Sequence, residues 1–180
     1  GSIHCLDIGN ETFDRSAPIP INGVIFAEDD VWVEGVVDGR VSVGVGRFPV
    51  QPPYKQIIIP NNLTYAASGS DDVIGLLSQG DVTVPYEAPD TMRLDGVMLA
   101  QFGRLSRLNY DVSVKTSLTI FGSQISYETG AWNYVNGWGN VVSGFLTVDQ
   151  RYDGNLKFYP PPEFPVSGIY ELLSWREVES

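Results

Sequence analysis

Ile74-Gly75-Leu76-Leu77-Ser78-Gln79-Gly80 aligns without a gap on Gly96-Val97-Met98-Leu99-Ala100-Gln101-Phe102, about 22 residues further on. Working outward, Met92-Arg93-Leu94-Asp95-Gly96 returns about 26 residues later as Leu118-Thr119-Ile120-Phe121-Gly122. Asp30-Val31-Trp32-Val33 returns as Asp81-Val82-Thr83-Val84, roughly two such periods on. A unit of 20–30 residues built from short apolar strands cannot bury its face alone, and does so by stacking on the next unit. The spacing therefore predicts an all-β fold: a right-handed parallel β-helix (solenoid) of about five coils. Equivalent residues are expected to stack, Leu76 on Met98 and Leu77 on Leu99. A β-sandwich is the competing fold. It needs hairpins, and the Asn-Gly pairs Asn22-Gly23 and Asn136-Gly137 lie between no two well-patterned strands.

Short β-branched strands are expected at Val24–Ala27, Val31–Glu34, Val41–Val45, Ile57–Ile59, Leu63–Tyr65, Val73–Ser78 and Val82–Pro85. Others follow at Met92–Asp95, Val97–Gln101, Arg104–Leu108, Leu118–Phe121, Gln124–Tyr127 and Val141–Leu146. Residues 46–56, with Pro49, Pro52 and Pro53, read as a surface excursion, because proline cannot donate to a ladder. Ala66 to Asp71 and Asn109 to Thr116 read as two more. Residues 1–20 form an extended lead-in, and 21–180 a single solenoid domain. Its C-terminal cap, about 156–180, begins with the polyproline-like Tyr159-Pro160-Pro161-Pro162-Glu163-Phe164-Pro165. Ile169 to Val178, a strand or short amphipathic helix, is expected to cover an open end of the stack.

The 180 residues carry a formal charge of −11, which repels phosphate backbones and argues against nucleic acid as a partner. Arg93, Arg104, Arg107 and Lys115 read as solvated edge and turn residues, with a local basic strip as the alternative. The one cysteine, Cys5, can form neither an internal disulfide nor a cysteine metal cage. It sits beside the one histidine, His4, near a frayed terminus. With His4 alone, no serine has a base to activate it, and a hydrolytic triad is excluded. Phosphate-cradling and dinucleotide-binding motifs are absent from the sequence. No cofactor, no metal and no enzymatic activity are expected. Gly1-Ser2, with no initiating Met, reads as a tag scar, so any signal or anchor is expected upstream.

Two groups of residues bear on binding. Carboxylates gather at Glu28, Asp29 and Asp30, at Asp71 and Asp72, and at Asp81, Glu87, Asp90 and Asp95. They read as turn acids, with Ca²⁺ binding or acid–base work on a polysaccharide as alternatives. The loop carrying Trp132, Tyr134 and Trp138 is the candidate ligand surface, since such rings stack on sugars or anchor proteins. The alternative is that the rings fold back over the coils as a lid. Asn10-Glu11-Thr12 and Asn62-Leu63-Thr64 match the glycan-acceptor pattern, which is frequent by chance.

Gly23-Val24-Ile25-Phe26-Ala27-Glu28-Asp29-Asp30-Val31-Trp32-Val33-Glu34-Gly35, followed by Val37-Asp38-Gly39-Arg40-Val41, resembles the opening of the bacterial PilX-type, pilin-like surface protein family. Asp72 to Val82, Ala88-Pro89-Asp90, Leu94 to Gln101, Phe121-Gly122-Ser123, and Tyr159 to Pro162 with Ser174-Trp175-Arg176-Glu177 are similar too. The resemblance implies a non-catalytic structural or adhesive domain of a type IV pilus-associated protein. Such a domain is extracellular, is anchored by an upstream apolar helix, and meets pilus proteins, other cell-surface proteins or surface glycans. A carbohydrate-binding or polysaccharide-degrading β-helix is the alternative.

Overall fold

The chain is a parallel β-solenoid of about five coils. A computed structural model describes residues 2–7, 12–67 and 71–165, with side chains from residue 17 onward. The lead-in is two strands, β1 (Ser2–Asp7) and β2 (Thr12–Pro18), paired antiparallel as a ribbon separate from the solenoid sheets. The expected single extended run is therefore a folded-back pair.

Coil one is β3 (Val24–Ala27), β4 (Val31–Trp32) and β5 (Gly35–Val37). Coil two is β6 (Arg40–Val45), β7 (Ile57–Ile58) and β8 (Leu63–Tyr65), with the proline-rich excursion between β6 and β7. Coil three is β9 (Val73–Ser78), β10 (Val82–Val84) and the first half of β11 (Thr91–Ala100). Coil four is the second half of β11, β12 (Leu105–Arg107) and the first half of β13 (Val114–Ser126). The last coil is the rest of β13, β14 (Asn133–Val135) and β15 (Val141–Arg151), followed by a short 3-10 turn over Gly154–Lys157.

Three ladders run up the stack, one for each side of a coil. On the first side Val24 pairs with Ser42, Ser42 with Gly75, Gly75 with Val97 and Val97 with Ser123, advances of 18, 33, 22 and 26 residues. All three recurrences seen in the sequence are register partners: Leu76 with Met98, Met92 with Leu118, and Val31 with Val82 through Ile57. The parallel register makes like residues stack. Ile25–Val43–Leu76–Met98 line the first side, Val31–Ile57–Val82–Leu105 the second, and Leu63–Leu94–Ile120 the third. These columns run through the centre of the buried core, with Ile25 and Val31 partly buried at their first-coil ends. A fully buried Leu or Ile contributes roughly 1.5–3 kcal/mol, so the columns hold the stack together.

Two departures from expectation have physical causes. Strands expected on either side of Gly96 and of Gly122 are continuous, because these glycines, at φ +136° and +149°, turn the corner without breaking the ladder. The pair Asn136-Gly137 does lie in a hairpin, since Asn133–Val135 runs antiparallel to β15. This hairpin closes the last coil. Val41–Ile74–Gly96–Gly122 share one corner column, and a Cβ on Gly122 would overlap the carbonyl oxygen of Gly96. The reading of Ile169 to Val178 as an end cover lies outside the described residues.

Candidate functional site

The three aromatic residues singled out from the sequence are not on one surface. Trp132 is 8% exposed and belongs to the core, its indole Nε1 donating to Gln124 Oε1 at 3.2 Å. Gln124 stands where the Leu76–Met98 column ends, so Trp132 and the fully buried Phe145 plug the last coil. Tyr134 is half-buried and its hydroxyl donates to Arg107 O at 3.0 Å. Trp138, at 88% exposure, stands alone at the hairpin tip, with its backbone N–H bonded to Asn136 Oδ1. Two of the three rings thus serve as a lid. The discriminating signal was the period: Trp132 falls one coil above Arg107, whose N–H bonds Ala131 O, and so points along an interior column.

The carboxylates mostly clamp backbone. Asp30 Oδ1 accepts from Gln56 N at 3.0 Å, and Asp81 Oδ1 from Arg104 N at 2.8 Å, each reaching the coil above. Asp72 Oδ1 accepts from Gly39 N at 2.7 Å in the coil below. Buried Asp95 accepts from Tyr65 N at 3.1 Å and from Arg93 Nε at 2.8 Å. Corners interrupt the ladder and leave N–H groups without a strand partner, and a short acidic side chain supplies the acceptor. Asp29 is engaged too. Its hydrogen bonds from Lys55 Nζ and Asp30 N, and the Lys55 charge, hold its carboxyl below the ordinary carboxylate value. Among the described residues no group of three or more His, Cys, Asp or Glu could hold a metal ion.

The basic residues form no strip. Arg93 pairs with Asp95, Arg104 with Glu128 at 2.6 Å, and Lys115 with Asp90 at 3.3 Å. Arg107 is a correction to the reading of solvated charge, because it is fully buried. It donates to Ser113 O at 3.1 Å and Ser113 Oγ at 2.8 Å, and lies 4.8 Å from the Tyr110 ring centroid. Its Nε has no partner among the described residues. Burial pushes its pKa down, against smaller upward pushes from Tyr110, Tyr86 and Tyr134. The guanidinium fastens the loop after β12 to the interior, since a cation held away from water needs such acceptors.

What remains for recognition is the outer face of the first side. There Phe26–Gly44–Leu77–Leu99–Ile125 form one outward column through all five coils. Phe26 is 53% and Ile125 47% exposed, with Leu77 and Leu99 half-buried between them. Phe48, from the proline-rich excursion, stacks on Phe26 with ring centroids 6.2 Å apart. Gly44 is the small member, and a Cβ there would sit 3.2 Å from the Phe26 ring. The expected stacking of Leu77 on Leu99 is present, but on the outside of the coils and not in the interior, because an outward aliphatic looks like an inward one until the register is known. Comparison with family models, curated proteins and solved structures finds no match to this chain. No helix among the described residues is long and apolar enough to cross a membrane.

Proposed function

We propose that the chain is a non-catalytic docking module: an extracellular structural or adhesive domain of a type IV pilus-associated, minor pilin-like protein. The observation that carries this reading is the outward column Phe26–Leu77–Leu99–Ile125 on a rigid sheet face. A contiguous apolar stripe on an otherwise acidic chain is the kind of surface that marks protein association. Covering it contributes about 25 cal/mol per Å² of apolar area. The resemblance supplies the setting, with pilus or cell-surface proteins as partners. The test is fractionation of sheared pili from the producing bacterium, with the full-length protein carrying Leu77→Glu and Leu99→Glu. Wild-type protein is expected to sediment with the pili and the doubly substituted protein to stay behind. Absence of the wild type from the pilus fraction, or retention of the variant, would overturn the reading.

A second reading rests on Trp138. A lone indole this exposed offers one stacking plane to a sugar ring. Binding to a panel of acidic and neutral glycans that is lost in Trp138→Ala would favour a carbohydrate-binding domain, and silence of the intact chain would eliminate it.

A further inference from the structure

The proline-rich segment after β15 runs back over the outside of the first three coils. Three consecutive prolines remove the N–H donors at 160–162, so this segment cannot join a sheet edge and offers only carbonyls and ring surfaces. The outer face answers both. Arg40 donates a guanidinium N–H to Pro160 O at 2.6 Å, and Ser42 Oγ donates to Pro162 O at 2.5 Å. Arg40 also lies 5.9 Å from the Tyr159 ring centroid. The floor is glycine where the rings press in. A Cβ on Gly75 would come within 2.5 Å of the Phe164 ring, and one on Gly23 within 2.7 Å of Pro162 Cγ. Donors spaced for alternate carbonyls, with glycine where the Pro162 and Phe164 rings press in, make a groove shaped for a polyproline-type segment.

We infer that this groove is a recognition site for an extended proline-rich segment, filled in cis by residues 159–165 and open in trans to the same segment of a second copy. The segment is tethered to the last coil, whereas these contacts are made with Gly23, Arg40, Ser42 and Gly75 in or beside coils one to three. Between tether and groove lie Gly154, Asn155, Lys157 and Phe158, all exposed. Exchange of an identical element preserves every contact, so only the loss of the tether's local concentration opposes it. That concentration is of millimolar order for a short linker, so exchange grows with protein concentration.

Cross-linking between two singly substituted chains tests this, both in a Cys5→Ser background because Cys5 is the one native thiol. One full-length chain carries Ser42→Cys and the other Pro162→Cys, and a third carries both. The doubly substituted chain is expected to close internally on mild oxidation. The mixture of single variants is expected to accumulate a covalent heterodimer, faster at higher concentration. Adding Gly75→Val to the Ser42→Cys chain fills the slot and should slow the heterodimer at least tenfold. Failure of the internal bond, absence of the heterodimer, or a heterodimer indifferent to Gly75→Val would each overturn the inference.

Discussion

Replacing Gly122 with alanine is a direct test of corner stacking. Two costs add. An L side chain at φ +149° is strained by about 1–3 kcal/mol. The added Cβ would also overlap Gly96 O and lie 2.7 Å from Gly96 C. That neighbour is backbone of the coil below and cannot rotate aside, so the coils must part at this corner. Losing the two ladder bonds that flank it costs about 1 kcal/mol each. The sum is about 4 kcal/mol, which for a chain of this size lowers Tm by roughly 8–16 °C. Two controls separate the causes. Gly39, at φ +111° with nothing within 4 Å of its Cβ position, carries the strain alone, and Gly39→Ala should cost about 1–3 kcal/mol. Gly154, with an unstrained φ and open space, should tolerate alanine or gain up to about 1 kcal/mol. Calorimetry or guanidinium titration of the three variants should rank them in that order. A Gly122→Ala protein no less stable than Gly39→Ala would show that the coils are not in backbone contact at this corner, and the register argument would fail.

Other substitutions probe the remaining interactions. Trp132→Ala empties the end plug and should cost about 3–5 kcal/mol, while Trp138→Ala should stay within about 0.5 kcal/mol, both read from denaturant midpoints. Tyr65 has a buried hydroxyl with no hydrogen-bond partner among the described residues. Its pKa is driven up by burial, and then by Asp153, Asp95 and Asp72. Tyr65→Phe should therefore be neutral or stabilising by about 1 kcal/mol, whereas Tyr134→Phe, which loses the bond to Arg107 O, should destabilise by a similar amount. For Asp29 the folded carboxyl titrates below its ordinary 3.8, so its stabilisation is present above that value and lost as pH falls through the depressed one. The stability gap between wild type and Asp29→Asn should close over that acid range, and shrink with added salt at neutral pH.

Much of the architecture was legible because the coil length is nearly constant in the middle of the chain. Gly75 to Val97 and Val97 to Ser123 are similar advances, so unlike residues rarely face one another and the recurrence survives in the sequence. The advance from Ser42 to Gly75 is longer, since the proline-rich excursion is inserted there, and no gap-free alignment could cross it. The acids at corners read as turn residues from their type alone. Their actual partners, Gly39 N for Asp72 and Tyr65 N for Asp95, lie one coil away, beyond any local pattern. Arg107 reads as solvated in the sequence because charge predicts solvent, whereas its column places it above Val84 in the interior.

Periodicity by itself determined that this chain stacks in parallel coils, because apolar residues recurring at coil length can be buried together only by in-register neighbours. Composition by itself determined that His4 has no second histidine to work with. Tertiary structure alone decided which side of each strand faces out, and so which aliphatics form the Phe26–Ile125 stripe. It alone decided that Trp132 is core and Trp138 surface, and that Pro160 and Pro162 meet Arg40 and Ser42. The reason is physical. A side chain's direction alternates along a strand and resets at every corner, and contacts 120 residues apart in sequence are set by where the stack ends rather than by any neighbour in the chain.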